Sequence, residues 1–230
     1  MASTAKQDCL NDLRMRIMTL DMAPGSDLDE ATLVSQYGIS RTPLREVLQR
    51  LAGAGLIETQ DNRGAKVASM DLEVLRTFFQ TAPMVYANIA RLAAENRTGA
   101  QLDDLKEVQQ RFVRADASDA AMLNHRFHEI IGEMARNPYL MASLTRMLVD
   151  HARLSQTFYR PASPAESMLV VKAREQHDAM ISALEAREGA LMIDLTLQHW
   201  DLSKDRMERF VRPDPLPLDV ISLKEKRNAV

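Results

Sequence analysis

The chain has 230 residues, 46% of them hydrophobic, and a formal net charge of −3, enough for one large globular domain or two modest ones. It has no apolar run long enough to span a bilayer, acidic groups where a signal peptide needs an apolar core, and one cysteine, Cys9, which excludes an internal disulfide. These features predict a cytoplasmic protein; whether it binds nucleic acid depends on where Lys and Arg sit, which whole-chain charge hides.

In chain order, Leu10, Leu13, Ile17 and Leu20 share one face of a first helix, which the stretch DMAPGSDL (21–28) breaks. Asp29 is a good N-cap for a second helix and Gly38 a good stop. A third begins near Thr42, with Pro43 in its first turn and a buried stripe of Leu44, Val47, Leu48 and Leu51 at steps of three and four. Gly53 and Gly55 end it. The segment LIETQDNRGAKVAS (56–69) then predicts two short strands around a polar turn.

From Asp71 the pattern is helical throughout. Thr98 with Gln101 and Ser163 with Glu166 are capping-box pairs, the second with Pro164 at the first helical position. Asn137-Pro138 and the stretch 186–189 separate further helices, giving about six helices between 72 and 211. Pro83 is expected to kink or interrupt the first of these. The fold class is mainly α: a winged helix-turn-helix at residues 1–70, an all-α bundle at 71–212, and a Pro-punctuated tail at 213–230.

In a winged helix-turn-helix the second helix of the pair enters the major groove with its N-terminal residues on the base edges. Those residues are Ser40, Arg41, Thr42 and Arg45. Arg41 and Arg45 are four apart on one face, and each can pair with a guanine. Ser40 and Thr42 suit phosphate, as does the open helix end. Gly64 lets the wing tip approach the minor groove closely, with Arg63 and Lys66 supplying charge beside it. Two arginines alone would read as a solvated helix face; together with the caps, stripe and Gly-tipped hairpin they read as a DNA contact surface.

The stretch PGSDLDEATLVSQYGISRTPLREVLQRLAGAGLIETQDNRGAKV (24–67) resembles the DNA-binding domain of the GntR family of bacterial transcription regulators. The resemblance implies DNA contacts from Ser40, Arg41, Thr42, Arg45 and Gly64. Some members place an arginine near the start of the second helix, where this chain has Ala31 and Thr32.

Three later stretches, ANIARLAAENRT, NHRFHEIIGEMARNPYL and QHDAMISALEAREGALMIDLTLQHW, resemble the FadR-type, or FCD, class within that family. The chain has five histidines: His125, His128, His151, His177 and His199. Asn124 and His128 fall on one helical face, and an antiparallel hairpin can bring His177 and His199 together. The resemblance implies a divalent metal, with Asn124, His128, His177 and His199 as ligands. Asn124 stands where the class usually has Asp. Three histidines suit Zn²⁺, Ni²⁺ or Mn²⁺, and an uncharged ligand set favours an anionic effector.

By the same comparison Ala82 and Tyr86 stand where FCD proteins often carry an Arg and a Glu. Arg153, Tyr159 and Arg174 are the candidates to replace the missing pocket arginine, and Trp200 either lines the pocket or fills the core. The charged stretch LKEVQQRFVRAD (105–116) predicts a solvated helix face, and Met141, Met147 and Met168 predict adaptable packing.

The resemblance implies a ligand-responsive regulator, a repressor by family default, binding an inverted-repeat DNA operator as a homodimer. One alternative is the same regulator without metal, sensing an apolar or acyl effector. The distant alternative is a metalloenzyme; HRFHE (125–129) lacks the i, i+4 histidine spacing of a zinc protease helix.

Overall fold

The structure is a computed structural model that describes residues 2–60 and 64–211. The wing-tip residues 61–63, with Arg63, and the predicted tail 213–230 lie outside the described residues.

α1 (Ala2–Met18) buries Cys9, Leu10, Leu13, Ile17 and Met18. Leu20, expected on the same face, falls past the helix end with φ 66°. A two-residue strand that the sequence pattern did not reveal follows, β1 (Asp27–Leu28). α2 (Glu30–Tyr37) starts where Asp29 accepts from the backbone N–H of Ala31 and Thr32, and it stops at Gly38 in the left-handed region. α3 (Arg41–Gly53) buries Leu44, Val47, Leu48 and Leu51. β2 (Ile57–Gln60) and β3 (Gly64–Val67) form the wing, and β1 adds to the far side of β3, giving the antiparallel order β1-β3-β2. A strand of two residues carries no readable alternation, so only its partner β3 gives β1 away.

Six helices follow: α4 (Leu72–Asn96), α5 (Gly99–Arg114), α6 (Ala117–Met134), α7 (Pro138–Phe158), α8 (Pro164–Ala186) and α9 (Gly189–Val211). The expected caps at Thr98, with its Gln101 capping box, and at Ser163 begin α5 and α8, and Asp71 and Asn137 likewise cap α4 and α7. Of the two outcomes expected at Pro83, the interruption is corrected: α4 runs unbroken through it. The missing hydrogen bond is outweighed by packing, because α4 lies along α9 and also meets α6 and α7.

One core cluster fills the bundle between α4, α5, α6, α7, α8 and α9. A second joins α1, α2, α3 and the sheet, and it also includes Val149 and Ala152 from α7. α7 therefore belongs to both halves of the molecule. Met141 and Met147 pack against the bundle core, whereas Met168 is exposed.

Candidate metal centre and DNA interface

Ser40, Arg41, Thr42 and Arg45 are all exposed at the start of α3. Ser40 is the N-cap residue, yet its side chain makes no capping bond, so its hydroxyl and the first helical N–H groups are open to an anion. Arg41 and Arg45 take part in no ion pair among the described residues. Gly64 is exposed at φ 83°, a conformation that favours glycine, and a Cβ there would meet nothing within 4 Å. The wing thus presents bare backbone. Lys66 lies across from Asp27 in the sheet, with its Nζ 3.6 Å from the carboxylate. An exposed pair of this kind is weak and exchangeable, so Lys66 remains usable for phosphate.

The second constellation lies inside the bundle. His128 of α6, His177 of α8 and His199 of α9 converge, each offering a ring nitrogen, all within 4.8 Å of one another. The Nε2 atoms of His128 and His177 are buried with no hydrogen-bond partner, an arrangement that ordinarily costs stability. Their rings are fixed from behind. His177 stacks on Phe127 with centroids 3.9 Å apart and planes within 6°. Its Nδ1 lies 3.1 Å from Gln109 Oε1, and Gln109 Nε2 donates to the Arg174 carbonyl at 3.0 Å and to Asp178 Oδ1 at 2.9 Å.

That network sets the protonation. Gln109 spends its amide N–H groups on two oxygens, so its own oxygen must accept from His177 Nδ1–H. His177 Nε2 is then left as a bare lone pair aimed into the cluster. Gln176 Oε1 lies 3.0 Å from His199 Nδ1 in the same relationship. Such second partners are how metal-binding imidazoles are held in the correct tautomer.

Burial pushes His128 and His177 well below the ordinary histidine range, and the neighbouring histidines push the same way. Burial also takes His199 down to about 4. All three are neutral at pH 7, the form that ligates a metal. The orphaned Nε2 atoms, fixed tautomers and neutral rings together fit a divalent ion.

Asn124 lies in the same pocket. Its Oδ1 accepts from Tyr159 Oη at 3.0 Å, and its Nδ2 lies 3.4 Å from both His151 Nε2 and Ser155 Oγ. The side-chain oxygen already has one partner and retains a second lone pair. The pocket encloses about 50 Å³ and is lined by Tyr86, Asn124, His128, His151, Tyr159, His199 and Trp200 among others. Trp200 is a lining residue.

The three effector-pocket candidates divide. Tyr159 lines the cavity. Arg153 does not, because it sits on the opposite face of α7 and donates to the Ala68 and Leu56 carbonyls. Arg174 lies over the Phe112 ring, 5.8 Å from its centre, and also does not line the cavity. A single helix can aim side chains at two neighbours, and sequence spacing does not say which neighbour lies where.

Sequence reasoning also missed two participants. His151 lines the pocket, with Nδ1 3.0 Å from Tyr86 Oη, and burial pushes it down to about 3. Gln109 belongs to the stretch read as a solvated face, but it is 3% exposed. Its signal was present: an amide sits within the apolar stripe Leu102, Leu105, Val108 and Phe112.

Comparison with known proteins decides the family. The profile described as "Bacterial regulatory proteins, gntR family" matches residues 6–67, and the profile described as "FCD domain" matches residues 84–202, more than half of the chain. The chain belongs to the GntR family and carries an FCD domain. It is 27% identical over 191 residues to the HTH-type transcriptional repressor RspR of Escherichia coli, covering 81% of this chain and 82% of that protein. It is 22% identical over 200 residues to the HTH-type transcriptional regulator LutR of Bacillus subtilis, covering 78% and 90%. Among solved structures it is similar to E. coli McbR/YncC, at a TM-score of 0.73 and 21% identity, over 90% of this chain and 99% of that one. This last likeness bears on the fold alone.

The GntR chain is accordingly a DNA-binding transcription regulator and not an enzyme, which removes the metalloenzyme alternative. No helix among the described residues is long and apolar enough to cross a membrane.

Proposed function

We propose that the protein is an effector-responsive repressor that binds an inverted-repeat operator as a homodimer, with a divalent metal in the bundle as part of its effector site. The reader is the winged unit at 1–70, and the sensor and dimerisation unit is the bundle at 71–212. The repressor sign is supported by the printed name of the relative RspR. Two-fold symmetry is the ordinary route by which a winged unit this small gains affinity and specificity.

The observation that carries the metal reading is the pair of buried, unpartnered Nε2 atoms on His128 and His177 beside His199. His128, His177 and His199 are the proposed ligands, and Asn124 offers its remaining lone pair as a fourth. A bound dication would supply positive charge that this uncharged ligand set does not neutralise, and so would draw an anionic group of the effector. Among the described residues no lysine or arginine lines the cavity, so there the ion is the positive charge that answers the anion. Tyr86, Tyr159 and His151 offer hydrogen bonds, and Trp200 and Phe158 offer apolar surface to the rest of the ligand.

The test is DNA binding by untagged protein on duplexes selected from a random pool, with metal-loaded and chelator-treated protein compared in the presence of small carboxylates. A carboxylate response that requires metal supports the reading. A response to apolar or acyl compounds that is indifferent to chelator would favour the same regulator without metal, for which the apolar lining of the cavity speaks.

A further inference from the structure

Arg153 of α7 reaches from the bundle to the reader's backbone. It is 1% exposed and among the largest fully buried side chains of the chain. Its Nη1 donates to the Ala68 carbonyl at 3.1 Å and its Nη2 approaches the Leu56 carbonyl at 3.4 Å. Leu56 immediately precedes β2 and Ala68 immediately follows β3, and Ala68 N–H donates to Leu56 O at 3.0 Å. One guanidinium from α7 therefore holds the base of the wing hairpin, at the end opposite its turn.

Its neighbours extend the hold. Asp150 Oδ1 lies 3.5 Å from Arg153 Nη1, and Asp150 Oδ2 lies 3.0 Å from Arg146 Nη1. Arg146 lies across Gly55, in the turn between α3 and β2, so closely that a Cβ at Gly55 would stand 2.1 Å from Arg146 Cδ. Gly55 has φ 73°, so glycine suits the position for both backbone and clearance. Arg146, Val149, Asp150 and Arg153 share one face of α7, and Val149 joins the reader's own core. The other face carries His151, Leu154, Ser155 and Phe158 into the metal pocket.

We propose that Arg153 is a positioning residue for DNA binding: it fixes the winged unit on α7, and through it the state of the pocket reaches the recognition helix. The inference rests on the proposed effector site for its second half. A buried guanidinium is tolerated only where its partners stand in place, because misplacement leaves the charge buried without them. The tie therefore distinguishes sharply between positions of α7 and does not yield smoothly. α7 is one wall of the pocket, and its His151 ring stands 5.0 Å from that of His128, so an ion that shifts His128 shifts this wall. Displacement of that wall shifts the atoms to which the hairpin is bonded. The coupling is limited by how differently the effector binds the two arrangements.

The experiment uses the full chain as wild type, Arg153→Met and Arg153→Lys, with bound zinc, DNA affinity and calorimetric melting measured for each. DNA is selected from a random pool by the wild type, and zinc alone is the probe. We expect wild-type affinity to differ by about five-fold or more between zinc-loaded and chelated protein. Arg153→Met should bind zinc as wild type does while that difference shrinks below about two-fold, and Arg153→Lys should fall between.

Retention of the wild-type difference by Arg153→Met would reduce Arg153 to a packing role and overturn the proposal. So would a wild type that binds zinc with no change in DNA affinity. If the wild type binds no zinc, the metal reading fails on its own measurement, and melting decides positioning. A single transition that splits in two in Arg153→Met supports it, and a single transition in both contradicts it. Should Arg153→Met not fold, Arg153→Lys, which keeps the charge but lacks the fork that reaches both carbonyls, carries the same comparison, and an unchanged zinc-dependent difference there overturns the proposal.

Discussion

Gln109 and His177 are joined through Oε1 and Nδ1 at 3.1 Å, and this bond, together with the two that Gln109 Nε2 donates, decides which ring nitrogen faces the histidine cluster. Gln109→Leu should keep the fold, since the residue lies in an apolar stripe of α5, yet release His177 to rotate and change tautomer. Loss of such a partner typically weakens metal binding by about 10–100-fold. Competition against a chelator of known affinity measures this, and unchanged affinity would mean that Gln109 serves packing only.

Thr98→Ala provides the contrast. It removes the capping box at the start of the same helix, at a cost of about 1 kcal/mol, without touching the pocket. Melting should fall by about 2–4 °C while metal affinity stays at the wild-type value. A parallel loss of metal would mean that the N-terminus of α5, rather than Gln109 itself, holds the site.

Arg41→Ala and Arg45→Ala should each relax base preference at one position per half-site, by about 1–3 kcal/mol if the lost contact is a bidentate pair with guanine. Selection from a random pool before and after each substitution reads this directly. The same preference in wild type and both variants would remove α3 from the role of base reader. Lys66→Ala, at a proposed phosphate contact, should instead weaken binding to all sequences alike and flatten the salt dependence.

Acid should destabilise the chelated protein. His128, His151, His177 and His199 are all held below the ordinary histidine range by burial. Below pH ~6.5 the unfolded chain takes up protons that the folded chain refuses, so stability present above that pH is lost as pH falls toward the folded values of about 3 for His151 and about 4 for His199. At pH ~5.5 each group costs on the order of 1 kcal/mol. Melting temperatures of chelated protein between pH ~7.5 and ~5.5 check this, and a flat profile would contradict neutral burial of the cluster.

The sequence reveals local elements well and tertiary direction poorly. Asp29, Asn137 and Ser163 cap where their chemistry suggests, because an N-cap needs only its own neighbours in the chain. The pairing of His177 with His199 was legible for a similar reason, since both flank one tight helix hairpin. Arg153 and His151 show the opposite case. They are two apart on one helix, yet one serves the reader and the other the pocket, and only the packing of α7 between two cores separates them. Gln109 was hidden by charged neighbours, and β1 by its shortness. Pro83 was read by its local cost alone, while the long contact of α4 with α9 outweighs that cost.

The central claim is that three uncharged histidines hold a metal beneath the reader. Elemental analysis of purified protein without a histidine tag, before and after incubation with Zn²⁺, Ni²⁺ and Mn²⁺, tests it most directly. The account predicts about one ion per chain at saturation and its loss in His177→Ala. Wild-type protein that stays empty after all three incubations, or His177→Ala protein that keeps its metal, would contradict it.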